Sequence, residues 1–240
     1  MAPMNEQERA YNLTEFAAGA SVTNPGETLP AQVGAAAPEF EATTLDGKIV
    51  RLSDFRDRSH VVMMTGAVTS PMCAFEVPEF NRLQTDFAAQ GVGFFLLYTR
   101  ESHPAENYGA HRSFEQKLSH ALELQRLEDI HFPIIVDHLD GRIHRAYGVW
   151  PNALFVIHKD GRLVFRSNMA NHRELRQFLE DMVAAEQAVA AGRVVHLQYS
   201  ERVVAHEADQ ATHRRVYQRA GPKAFEDYWA KRPQQRNRWP

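Results

Sequence analysis

Two short clusters carry residue types that could do chemistry: Ser70-Pro71-Met72-Cys73 and Glu101-Ser102-His103. Cys73 is the only cysteine in 240 residues, which excludes an internal disulfide, a cysteine-based zinc cluster and an intramolecular two-cysteine redox pair. Any thiol chemistry therefore needs an outside partner. Cys73 falls in the first turn of an expected helix, where the dipole and unpaired amides favour a thiolate. Its separation from Ser70 is that of a Cys-X-X-Cys pair with the first member changed. Ser70 and Pro71 also read as a plain helix start, since serine is a preferred N-cap and proline a preferred first helical residue. A histidine beside a carboxylate, as in His103 and Glu101, can shuttle a proton at neutral pH. The bland alternative is a Glu-His hydrogen bond that orders a loop ahead of Pro104. Twelve histidines raise the question of a metal, but His131, His138 and His144 offer no i, i+4 pair on a helix face, and no metal site is expected.

The elements that must position these groups follow from periodicity. Phe40, Ala42 and Thr44 alternate before Asp46-Gly47, which predicts a hairpin. Residues 61–68 are apolar on both faces, as a central parallel strand should be, and end at Thr69-Ser70-Pro71. Phe75, Phe80, Leu83 and Phe87 then fall at helical intervals, and Gly91 precedes a second doubly apolar strand, 92–98. This strand, helix, strand unit implies a right-handed crossover and a parallel pair. A helix over Phe114 to Leu124, a third buried strand at 132–136, a short helical turn, a strand at 153–158, a turn at 159–162, a strand at 163–165 and a helix from Leu175 to Val183 complete the pattern. The order is hairpin, β, α, β, α, β, β, α, an α/β sandwich with helices on both faces of the sheet. Glu101 and His103 follow a strand at its C-terminal end, where open α/β sheets place ligand sites, and should lie beside the Thr69 to Cys73 turn.

Composition narrows the partners. Twenty-seven basic and thirty acidic side chains leave a net charge of −3, so no whole-molecule field would hold nucleic acid or an anionic membrane. Glu6, Glu8 and Glu15 interrupt the N-terminus where a signal peptide needs an apolar run. No stretch reaches the 18 or so apolar residues of a span, and a cytoplasmic chain is expected. Residues 1–33 read as a lead-in, 34–190 as the main domain and 191–240 as an extension. In the extension Val194, Val195, Leu197 and Tyr199 suggest a strand. Arg214, Arg215 and Arg219 suggest one helix, and Ala224, Phe225, Tyr228 and Trp229 a second apolar face. Six arginines with aromatic residues more often dock on an acidic body or a second subunit than on RNA, so the tail is expected to form a lid or a homodimer contact.

The element order, the small-Thr-X-Pro-X-Cys turn and the X-Pro ahead of the fourth strand resemble the thioredoxin fold. A closer resemblance is to the iodothyronine-deiodinase-like redoxins, bacterial relatives of peroxiredoxins and deiodinases. It rests on Thr65-Gly66-Ala67-Val68-Thr69-Ser70-Pro71-Met72, on Leu97-Tyr98-Thr99-Arg100-Glu101-Ser102-His103-Pro104, on Phe132-Pro133-Ile134-Ile135-Val136-Asp137 and, more weakly, on Tyr147-Gly148-Val149-Trp150-Pro151-Asn152. It covers about residues 34–185. The resemblance implies a thioredoxin-like three-layer sandwich with an N-terminal hairpin and a helical or extended C-terminal extension. It also implies that position 70 holds the nucleophile, selenocysteine or cysteine in the family, whereas this chain carries Ser70. An alkoxide forms with far greater difficulty than a thiolate and cannot run a sulfenate or disulfide cycle. Glu101 and His103 match the family's acid and proton-transferring histidine, His111 sits where another polar active-site histidine is placed, and Val68 replaces a second cysteine of some deiodinases. Trp150-Pro151 matches the family's cis-proline position.

Three functions follow as expectations. The first is a thiol-dependent oxidoreductase acting on a small electrophile, with an exogenous thiol or thioredoxin-type reductant and no bound cofactor. Ser70 stands at the nucleophile position, Cys73 is the fallback thiol, Glu101 and His103 move protons, and Thr69, Pro71, His111, Trp150 and Pro151 shape the pocket. The second is a redox-inactive binding module. The third is a non-redox enzyme that uses Ser70 and His103 as a hydrogen-bonded pair.

Overall fold

The computed structural model describes residues 4–16, 30–200 and 209–231. Strand β3 (His60–Gly66) is buried along its whole length because its side chains feed two cores: Val62 and Met64 enter one apolar cluster, Val61 and Met63 the other. β4 (Val92–Tyr98) runs parallel to β3, and β5 (Ile134–Val136) parallel to β4. On the other side of β3, β6 (Leu154–Ile157) is antiparallel, followed by antiparallel β7 (Leu163–Ser167). The hairpin of β1 (Glu41–Thr44) and β2 (Ile49–Arg51) joins the far edge through an antiparallel β1–β5 pair. The result is one seven-stranded mixed sheet in the order β2-β1-β5-β4-β3-β6-β7.

Helices α2 (Pro71–Phe87), α3 (Phe114–Glu128) and α5 (His172–Ala190) pack on the Val62 face. Phe80, Leu83 and Phe87 of α2 are at most 3% exposed, and each such burial contributes roughly 1.5–3 kcal/mol. The opposite face is covered by α4 (Arg142–Tyr147), through Ile143 and Tyr147, and by a 3-10 turn at Leu52–Phe55. Helix α1 (Glu6–Tyr11), begun by a capping box of Asn5 and Glu8, brings Tyr11 into the body.

The extension departs from expectation in one respect. Residues 193–200 form no strand, and Val194 and Leu197 are 84% and 97% exposed. Three or four alternating apolar residues do not make a strand without a sheet edge to pair with. Helices α6 (Gln210–Ala220) and α7 (Pro222–Lys231) fold back on the chain's own body, α6 against α2. Arg214 is exposed, whereas Arg215 and Arg219 both reach Glu128. The sequence stretch 232–240, with its arginines, lies outside the described residues. No helix among the described residues is long and apolar enough to cross a membrane.

Candidate active site

The turn at 67–70 leaves β3 at its C-terminal end and starts α2. Ser70 is the N-cap in extended backbone, with Pro71 as first helical residue, and its Oγ accepts the Cys73 N–H at 3.3 Å. The Ser70 amide is itself tied back to the Ala67 carbonyl at 3.0 Å. The expected Ser70–His103 pair is not formed: the serine hydroxyl is spent on the helix cap. Ser70 is 3% exposed, and Thr69 and Pro71 are buried with it.

Cys73 corrects the expectation of an available thiolate. It is 0% exposed, with Sγ pressed under Gly66, where a Cβ would lie 2.5 Å from the sulfur. Burial pushes the thiol pKa far up, Glu128 adds to the shift, and Arg219 offsets only part of it. The helix dipole is outweighed because the side chain points into the core, as small apolar-like cysteines commonly do. Gly66→Ala is expected to destabilise the fold by about 1–3 kcal/mol. Adding Cys73→Ala should recover most of that loss in a double-mutant cycle by urea unfolding, and a purely additive pair would refute the close approach.

Glu101 is the hub of the site. Its Oε1 accepts from Tyr98 Oη at 2.5 Å, His111 Nε2 at 3.0 Å and His120 Nδ1 at 3.1 Å. Its Oε2 accepts from the Thr69 hydroxyl at 2.7 Å and the Thr69 amide at 3.2 Å. Burial by itself would raise this carboxyl, but the hydrogen bonds from His111 and His120 outweigh it and hold the group ionised, well below the usual carboxylate range. The Thr69 Oγ1 in turn accepts the His103 N–H at 3.1 Å, and Tyr98 Oη accepts the Val68 N–H at 3.2 Å. The ends of β3 and β4 are thereby locked together. His111 is fully buried, and burial lowers its pKa against the pull of Glu101.

His103 is 8% exposed. Its ring stacks on Phe16, with centroids 4.2 Å apart, and meets the Tyr217 ring edge-on, with Tyr217 Oη 3.3 Å from Nε2. Beside it Arg219 of α6 donates to the Val68 carbonyl at 2.7 Å and to Glu128 at 2.6 Å, while Asn107 binds the Arg219 and Ala220 carbonyls. The turn and the imidazole do meet at one sheet edge, but beneath the extension.

Trp150 and Pro151 lie in the segment between α4 and β6. Among the described residues no peptide bond is cis, so the Trp150–Pro151 bond is trans and the expected cis-proline is not found. The Trp150 carbonyl is held instead by Thr65 Oγ1 at 2.9 Å and His144 Nε2 at 2.8 Å.

The sequence reading missed Tyr98, His120 and Tyr217. His120 shares the buried phase of α3 with Lys117, Ala121 and Leu124, a helical-stripe signal that was available. Tyr98 ends an apolar strand and Tyr217 belongs to a separate segment, so neither has a local signature.

Relatives agree with this architecture. The chain is 25% identical over 146 residues to the type I iodothyronine deiodinase of Xenopus laevis, covering 57% of each chain. It is 29% identical over 134 residues to the thiol-disulfide oxidoreductase ResA of Bacillus thuringiensis, covering 55% of this chain and 68% of ResA. The chain thus spans little more than half the length of the deiodinase it matches. A solved structure of a putative thiol:disulfide interchange protein DsbE from Chlorobium tepidum superimposes with a TM-score of 0.53 at 20% identity, over 64% of this chain and 99% of that one. The fold is therefore thioredoxin-like. A model of the AhpC/TSA family matches residues 33–166, which take in the turn, its glutamate and its histidines, and the chain belongs to that family.

Proposed function

We propose that this chain is a redoxin without a working thiol step: a thioredoxin-fold binding module whose reaction-centre position carries serine and lies under its own C-terminal helices. One observation carries the reading. At the place where a redoxin needs a reachable sulfur, Ser70 caps a helix at 3% exposure and the single thiol, Cys73, is at 0%. Neither group can attack a peroxide, a disulfide or an iodinated ring from where it stands.

A second reading has its own support. Thr69 joins the Glu101 carboxylate to the backbone N–H of His103, which keeps the His103 imidazole, the group that would pass a proton to a leaving group, in the loop beside position 70. That reading is thiol-dependent reduction of a small electrophile of the deiodinase type, with exogenous thiol as reductant. The two separate in one assay. The full chain is incubated with dithiothreitol and, in turn, hydrogen peroxide, a peptide disulfide and an iodinated phenol. The binding-module reading expects rates equal to protein-free controls. A rate abolished by Cys73→Ala would overturn it in favour of the second reading. A rate that survives Cys73→Ala but falls with His103→Ala would also overturn it, showing that dithiothreitol reduces the substrate directly in the cleft while His103 supplies the proton.

A further inference from the structure

Two clusters of histidine and glutamate bring three ligating atoms within 4.8 Å of one another, His60/His158/Glu186 and Glu101/His111/His120. Their hydrogen bonds tell them apart. In the first, His60 Nδ1 accepts the Lys159 N–H and His158 Nδ1 accepts the Asp160 N–H, each at 3.2 Å. The His60 proton is thereby placed on Nε2, which donates to Glu186 at 3.2 Å, while His158 is held between two carboxylates, Nε2 at 3.1 Å from Glu186 and Nδ1 at 3.0 Å from Asp160 Oδ1. The His60 lone pair points away from the centre, and Lys159 Nζ already occupies Glu186 Oε1 at 2.7 Å. This cluster is complete as a hydrogen-bonded ion group.

The second cluster is different. His111 Nε2 and His120 Nδ1 converge on the same oxygen, Glu101 Oε1, at 3.0 and 3.1 Å. The far nitrogen of His111, Nδ1, is buried with no hydrogen-bond partner among the described residues, so only the Glu101 carboxylate holds the proton on Nε2, and no backbone donor bars its move to Nδ1, which frees the Nε2 lone pair. Metal bonds of about 2.0–2.2 Å place neighbouring ligand atoms roughly 3.0–3.5 Å apart, and both imidazole nitrogens stand at 3.0 and 3.1 Å from the carboxylate oxygen. The nearby cations are committed elsewhere: Lys117 Nζ donates to the His138 carbonyl at 3.0 Å, and Arg219 pairs with Glu128. The carboxylate is also oriented from behind, with Tyr98 Oη on Oε1 and the Thr69 hydroxyl and amide on Oε2, the outer-shell support that metal carboxylates need.

We propose that Glu101, His111 and His120 form a binding site for a first-row divalent transition metal of the zinc class. Two imidazoles and one carboxylate supply three ligands and leave at least one position for water or another ligand. The carboxylate that would bind the metal is the one that holds Thr69, so an ion here would sit one residue-contact away from the Ser70 turn. It is compatible with either reading of that turn.

The test uses the full chain stripped with a chelator and titrated with Zn²⁺ by calorimetry against a competing chelator. One equivalent is expected to bind, His120→Ala should weaken binding by at least about 100-fold, and His158→Ala should leave it unchanged. Tyr98→Phe, which removes no ligand, should weaken it by about 10-fold or more, and it guards against His120→Ala failing to fold. Absence of stoichiometric binding, binding indifferent to both His120→Ala and Tyr98→Phe, or binding lost in His158→Ala would overturn the proposal.

Discussion

A thiol introduced by Ser70→Cys is expected to react with iodoacetamide at pH 7 at least about 100-fold faster than the wild-type chain. The contrast comes from two positions three residues apart. Wild type offers only Cys73, fully buried and with its pKa driven up by burial, so its thiolate fraction at neutral pH is negligible. A thiol at the N-cap would receive the Cys73 N–H that now binds the serine oxygen and would face the positive end of the 17-residue helix α2. Cysteine at such positions has a pKa below the ordinary 8.5, where about 3% is thiolate at pH 7. The substitution weakens the cap, at a cost of about 1 kcal/mol. If dithiothreitol-dependent peroxide reduction appears as well, the scaffold retains the proton-handling half of a redoxin. In that step the introduced thiolate attacks the O–O bond and becomes a sulfenate, the leaving oxygen takes a proton, and two dithiothreitol sulfurs return the thiol. A variant as inert as wild type by alkylation would show that the cover, not the missing sulfur, silences the site.

The second large effect concerns acid. His144 is fully buried and neutral: its Nε2 donates to the Trp150 carbonyl and its Nδ1 accepts from Tyr11 Oη, both at 2.8 Å. Burial lowers its pKa to about 3, with the Trp150 carbonyl opposing only in part. Because the folded value lies below the unfolded one of about 6.5, the unfolded chain binds a proton first. Stability is therefore intact above pH 6.5 and falls as pH drops toward 3, by about 1.4 kcal/mol per unit and roughly 4–5 kcal/mol over the window. His144→Gln keeps one donor and one acceptor without the titration. The wild type's advantage over His144→Gln in urea unfolding should shrink by about 2.3 kcal/mol between pH 6.5 and 4.5. A constant difference would mean that His144 is charged in the native state.

Much of this was written locally in the chain. The doubly apolar run at 61–68, the cap Ser70-Pro71 and the stripe from Phe75 to Phe87 are short-range signals, and β3, α2 and β4 form where those signals place them. The meeting of Thr69, Glu101 and His103 followed from strand ends that must lie side by side in a parallel pair. What failed was direction and distance. Whether a first-turn cysteine faces water or core depends on what lies beneath it, here Gly66, and no spacing rule reports that. His111 and His120 meet Glu101 only through tertiary folding. The fate of Val194 to Tyr199 turned on the lack of a strand partner, a property of the sheet rather than of the segment.

The placement of α6 has a kinetic consequence. Residues 191–208 connect it covalently to α5, so displacement of Arg219 and Tyr217 from the Ser70 turn is intramolecular. The displaced segment stays at an effective concentration that dilution does not change. A molecule that reaches the turn only after α6 is displaced would enter at a first-order opening rate, independent of protein concentration, and at high reagent concentration its reaction would saturate at that rate.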